Sequence, residues 1–143
     1  MGAYRNNRHK FEIEIPHGWH EPGFFSRLFG LDTNPEFYGP DQTGLKFAIG
    51  SISPEPSVKR QQENLKRIAI KHGHLVEEVG SIDVCAKEHA TIICGIPSPH
   101  HPSHMTLKNY SIIFNGTEYL ATALLDNHPE ESYDRIIKTF KLI

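Results

Sequence analysis

A chain of 143 residues, 38% hydrophobic and 22% charged, suits a single domain, because two would each be too small to bury a good core. The composition is too apolar for a disordered chain, and a formal net charge of -2 gives neither a nucleic-acid binder's basic excess nor an acidic tail. No apolar run approaches the roughly 20 residues that span a bilayer, so no transmembrane segment and no nucleic-acid partner are expected.

The first eight residues are polar and carry no apolar leader core, so the chain as given reads as cytoplasmic. Removal of an upstream signal would make it an exported protein instead. Position 6 is Asn, where a myristoylation start wants Ser or Thr. Phe11, Ile13 and Ile15 then alternate with Glu12 and Glu14, the pattern of a strand with one wet face. Pro16 ends it, and His17-Gly18-Trp19 turns so that Trp19 folds back on the core.

Residues 20–44 are irregular and rich in Gly and Pro. Within them Phe24, Phe25, Leu28 and Phe29 fall at helical spacing before Gly30, one or two turns of helix. Such a flap caps the core with its aromatic rings or offers an apolar patch to a partner. A second strand follows in which Leu45, Phe47 and Ile49 alternate with small or charged residues, until Pro54-Glu55-Pro56 breaks it. Ser57 is a good N-cap for a helix that Gly73 closes. Val58, Leu65, Ile68, Ala69 and His72 share one face of that helix, opposite Lys59, Arg60, Lys66, Arg67 and Lys71. A solvated basic face is the ordinary reading of the second set, and the lack of interleaved aromatics speaks against single-stranded nucleic acid.

Three strands are expected next, at 74–79, 81–85 and 90–96, with Lys87-Glu88-His89 at the turn between the last two. The third is nearly all apolar and should lie centrally, covered on both faces. Residues 97–104 hold three prolines in six positions and form a loop. Residues 107–114 and 117–125 flank Asn115-Gly116, the pair that best tolerates the positive φ of a type I′ turn. A two-residue turn pairs Phe114 with Thr117, Ile112 with Tyr119 and Tyr110 with Ala121. Pro129 suits the first position of a closing helix, with Glu130 and Glu131 at its positive end. Tyr133, Ile136, Ile137 and Phe140 make its buried stripe.

The order of elements, the "FEIEIPHGW" opening, the hairpin with "NGTEYLATALL" and the ending "SYDRIIKTFKLI" together resemble the PsbP-like superfamily. That superfamily includes extrinsic photosystem II subunits, the Mog-type Ran-binding import factor and DcrB-like bacterial lipoproteins. The resemblance implies one α+β domain over residues 1–143, an antiparallel β-sheet of about six to seven strands flanked by helices in an α/β/α sandwich. It also implies a mostly non-enzymatic binding role, because members share the fold and bind different things. Unlike the photosystem subunits, the chain as given is expected to lack a transit or signal segment.

Seven of the ten histidines fall in three groups, of which His100, His101 and His104 are the densest. Imidazole suits Zn²⁺, which takes three or four ligands in a tetrahedron, so these three are the metal candidates. No Cys, Asp or Glu stands beside them, and the spacing matches no metal signature, so no resident cofactor is expected and zinc is the alternative. His72 and His74 flank the Gly73 stop, where the negative helix end favours a cation. Cys85 and Cys94 read as free thiols within strands. No Gly-x-Ser-x-Gly elbow and no phosphate-cradling glycine loop occurs, so the chain does not read as an enzyme. The expected role is a non-catalytic binding or accessory domain, docking a protein partner or a second copy through Phe24, Phe25, Leu28 and Phe29. The alternatives are a metal-binding protein using the His-rich loop and, less favoured, a small hydrolase.

Overall fold

The computed structural model describes residues 2–21, 35–40, 43–97, 105–125 and 129–143. Strands β1 (Gly2–Asn6), β2 (Phe11–Ile15) and β9 (Lys141–Leu142) make a small antiparallel sheet in the order β1-β2-β9. A larger antiparallel sheet is built from β3 (Glu36–Tyr38), β4 (Gly44–Ser51), β5 (Leu75–Val84), β6 (Lys87–Ile96), β7 (Met105–Phe114) and β8 (Thr117–Leu124). Its strand order is β3-β4-β8-β7-β6-β5.

Helix α1 (Val58–Lys71) lies on one face of the larger sheet, where Leu65 and Ala69 pack with Ala90, Ile92 and Cys94. Helix α2 (Glu130–Lys138) and the small sheet cover the other face. There Tyr133, Ile136 and Ile137 meet Tyr110, Ile112, Tyr119 and Ala121, together with Phe11 and Ile13 of β2. Helices on opposite faces of an antiparallel sheet make the expected α+β, α/β/α arrangement. Each large apolar side chain buried this way contributes roughly 1.5–3 kcal/mol.

The Asn115-Gly116 turn has both φ angles positive, at 52° and 76°, and pairs Phe114 with Thr117, Ile112 with Tyr119 and Tyr110 with Ala121. That is the register read from the sequence. Ser57 caps α1, its hydroxyl accepting the Arg60 N–H at 3.2 Å, a contact worth about 1 kcal/mol. Ala90 to Gly95 are buried, as a strand covered on both faces must be.

Several expectations change. The two strands expected at 74–79 and 81–85 are one strand, β5, and Gly80 lies inside it. The turn into β6 is Cys85-Ala86, with φ of 52° and 60°, and Lys87, Glu88 and His89 belong to β6. Cys85 is therefore an exposed turn residue whose Sγ donates to the Phe140 carbonyl, while Cys94 is buried; both are free. On α1 the buried positions are Gln61, Leu65 and Ala69, and both Ile68 and His72 are exposed. The stripe is rotated toward Gln61 because its amide has partners inside. Pro129 takes the extended N-cap position rather than the first helical one. Strands β1, β3 and β9 add pairing where no strand was expected.

Candidate functional site

Between β6 and β7 the ladder stops at the Ala90–Ser111 pair, and the strands diverge beyond it. Side chains fill the gap. Gln61 reaches in from α1, its Nε2 donating to the Ser111 carbonyl and its Oε1 accepting the Ala90 N–H, both at 3.2 Å. Next along β7, the Ile113 N–H donates to His89 Nδ1 at 3.2 Å, and the Ile113 carbonyl accepts from Lys87 Nζ at 2.7 Å. His89 Nε2 lies 3.3 Å from the Val84 carbonyl, which assigns the proton to Nε2 and leaves the ring neutral. Burial holds this imidazole below its ordinary pKa, and the Lys87 charge adds to that. Lys87 also pairs with Glu55 and stands 5.1 Å from the centroid of the Phe114 ring.

A second buried polar group fastens α2 to the sheet. Lys108 Nζ reaches Glu130 Oε1 at 2.6 Å and Asp134 Oδ1 at 2.9 Å, and the Tyr110 hydroxyl donates to the same Asp134 oxygen at 2.6 Å. Burial works against the Lys108 charge, yet the hydrogen bonds to Glu130 and Asp134 raise its pKa overall. Burial, then the Asp134 carboxylate, pushes Tyr110 far up, so it stays a neutral donor. Cys94 is likewise held as a thiol, by burial first and Glu77 second. Among the described residues every buried side-chain nitrogen and oxygen has a hydrogen-bond partner.

An open cavity among the described residues lies elsewhere. A cleft of about 420 Å³ forms where the β1–β2 turn, the Asn115 turn and the end of β9 meet. Arg8, His9 and Lys10 line it together with Phe114, Tyr119, Leu142 and Ile143. Asn115 and Thr117 add an amide and a hydroxyl at the rim. Three hydrogen bonds hold the basic stretch. The His9 N–H donates to Asn6 Oδ1 at 2.8 Å, the Tyr119 hydroxyl to the His9 carbonyl at 2.8 Å, and the Ile143 N–H to the Lys10 carbonyl at 3.1 Å. Burial raises the Tyr119 pKa, which keeps that hydroxyl a donor. Lys10 sits at φ 61°, in the left-handed region that a lysine seldom adopts.

No protein-family model matches the chain, and no curated protein does. Its structure is similar to the solution structure of cyanobacterial PsbP (CyanoP) from Synechocystis sp. PCC 6803, at a TM-score of 0.59 and 12% identity. The match covers 99% of this chain and 92% of that one. The chain has a PsbP-like fold. At that identity the likeness is one of architecture, and it assigns no residue a role.

The residues singled out from the sequence fall outside the described part of this PsbP-like fold. His100, His101 and His104 do so, as do Phe24, Phe25, Leu28 and Phe29. The flanking residues are placed: Phe37 is buried in the main core, and His20 bridges Tyr38. His72 and His74 stand 6.0 Å apart, ring to ring, on either side of Gly73 at φ 76°. Among the described residues no three His, Cys, Asp or Glu side chains are grouped to hold a metal ion. No described helix is long and apolar enough to cross a membrane.

Sequence reasoning missed both the cleft and the Lys108 cluster. Lys108 falls at i, i+2 and i+4 with Tyr110 and Ile112 on the core-facing side of β7, which signals a charge needing a buried partner. The Arg8-His9-Lys10 run carried no comparable sign, because its meaning depends on Asn115 and Leu142, far away in sequence.

Proposed function

We propose that this chain is a non-catalytic binding module, an accessory domain that docks a protein partner. The observation that carries this reading is the occupation of the perturbed groups. His89, Lys108 and Tyr110 all have their polar atoms taken up in joining one element to another. Cys94 is a buried thiol rather than an exposed thiolate. A catalytic group needs a perturbed pKa and also a free face toward substrate. The shared architecture with cyanobacterial PsbP supports the reading at the level of fold.

The docking element is the segment carrying Phe24, Phe25, Leu28 and Phe29, whose aromatic density suits an apolar anchor. Its test is the double substitution Phe25→Ser and Phe29→Ser. The expected result is that a partner captured and identified with the wild-type protein is lost while the melting temperature holds. A fall in melting temperature, with no partner captured by the wild type, overturns the reading and assigns those rings to the core.

A further inference from the structure

We propose that the cleft between the β1–β2 turn and the Asn115 turn is a binding site for a small organic anion with an apolar body. Four observations converge on it, and none involves residues 24–31.

The first is charge. Arg8 and Lys10 line the cleft, and no Asp or Glu side chain does. Neither cation has an ion pair with a described side chain. Two cations on one turn favour an anion, and a guanidinium can bind a carboxylate, sulfonate or phosphate in a fork.

The second is the apolar part of the lining. Phe114, Leu142 and Ile143 face the same space, and Leu142 and Ile143 are exposed. A bare inorganic ion would leave these groups wet, while an apolar body attached to the anion would cover them. The third is size. A volume of about 420 Å³ lies within the range of small-molecule sites and exceeds what a single inorganic ion fills.

The fourth is rigidity. The backbone of Arg8-His9-Lys10 is tied at both ends by the His9 and Lys10 hydrogen bonds, and Lys10 is held at φ 61°. A held, strained backbone is ordered before any ligand arrives, which lowers the ordering cost of binding.

The test uses the fluorescent probe 8-anilinonaphthalene-1-sulfonate, an aromatic body bearing one sulfonate. Wild-type protein is titrated beside Arg8→Gln/Lys10→Gln and beside Lys59→Gln/Lys66→Gln, which removes the same charge from α1. The expected result is saturable one-to-one binding that weakens with added salt. Binding falls by tenfold or more in the first pair, stays unchanged in the second, and shifts the backbone amide signals of Arg8, Lys10 and Asn115. Undiminished binding in the first pair overturns the proposal, as does equal loss in both pairs. So does an absence of saturable binding. Displacement of the probe by inorganic phosphate at equal concentration would reduce the site to a bare anion site and overturn its apolar half.

Discussion

At the scale of single residues, the polar groups sealed inside this domain are its most sensitive points. Lys108 is 6% exposed and relies on two carboxylates that reach solvent more readily than it does. Removing Asp134 leaves the ammonium with one partner and the Tyr110 hydroxyl with none. Asp134→Ala should therefore cost about 2–3 kcal/mol. Lys108→Met removes the desolvated charge, keeps most of the volume, lets Glu130 turn outward and leaves Asp134 accepting from the Tyr110 hydroxyl, so it should cost about 1 kcal/mol. Urea denaturation of the two variants decides the order; a costlier Lys108→Met would show that the ammonium itself holds α2 in place.

His89 sets a pH dependence of a definite sign. Burial first, and then the Lys87 charge, depress its folded-state pKa below 6.5, against the raising effects of the Val84 hydrogen bond, Glu55 and Asp83. Below 6.5 the unfolded chain takes up a proton that the folded one refuses, so the unfolded state binds more protons. The stability contributed by neutral His89 is complete above 6.5 and is lost as pH falls through the lower folded value. Wild-type protein should lose stability between about pH 7 and about pH 5, the window of a histidine switch. His89→Gln can still accept the Ile113 N–H and donate to the Val84 carbonyl without titrating. Its chemical-denaturation free energy should fall less over the same interval, and equal slopes for the two proteins would refute this assignment.

At the scale of elements, the divergence of β6 from β7 makes one helix residue part of a sheet. Gln61 is 4% exposed and bridges the Ala90 N–H and the Ser111 carbonyl at the last pair of the β6–β7 ladder. Gln61→Leu would fit the space but leave a buried N–H and a buried C=O unpaired, at a cost of about 2–3 kcal/mol. Gln62→Ala loses one half-buried bond to the Gly80 carbonyl and should cost about 1 kcal/mol. Amide exchange sharpens the comparison: the Ala90 N–H should lose protection in the first variant and keep it in the second. Unchanged protection at Ala90 in Gln61→Leu would mean that β6 and β7 close directly.

The same region marks where the sequence is legible and where it is not. Alternation in Phe11-Glu12-Ile13-Glu14-Ile15 and the Asn115-Gly116 pair are local signals, and β2, β7 and β8 form where those signals point. The stripe of Tyr133, Ile136, Ile137 and Phe140 does bury itself against the hairpin face. Cys85-Ala86 gives no such signal, because neither residue favours the left-handed region that both occupy. Strand β1 has no apolar alternation and exists by pairing with β2. The cleft has the same non-local origin, since its basic and apolar residues belong to segments that only the tertiary fold brings together.

At the scale of the whole molecule, aromatic rings join the two sheets, and Phe11 makes the most such contacts among the described residues. Phe11 of β2 is wholly buried, and its ring centroid lies 5.5 Å from Phe47 on β4, 5.5 Å from Tyr119 on β8 and 5.2 Å from Phe140 beyond α2. A cavity there touches both sheets and the end of the closing helix at once. Phe11→Ala should cost about 3–5 kcal/mol, a large share of the roughly 5–15 kcal/mol that a domain has in total. Phe11→Leu keeps part of the contact and should cost clearly less. Because the same ring contacts both sheets, the small sheet should not melt by itself. Trp19, the single tryptophan, packs 6.1 Å from Tyr133 of α2 against the main core that the small sheet shares and reports that core by fluorescence, while far-UV circular dichroism reports the larger sheet. In Phe11→Ala the two signals should move to lower denaturant together, as one cooperative unit requires. If Trp19 fluorescence changed in a separate, earlier transition, β1, β2 and β9 would be a detachable flap, and the cleft they border would open before the domain unfolds.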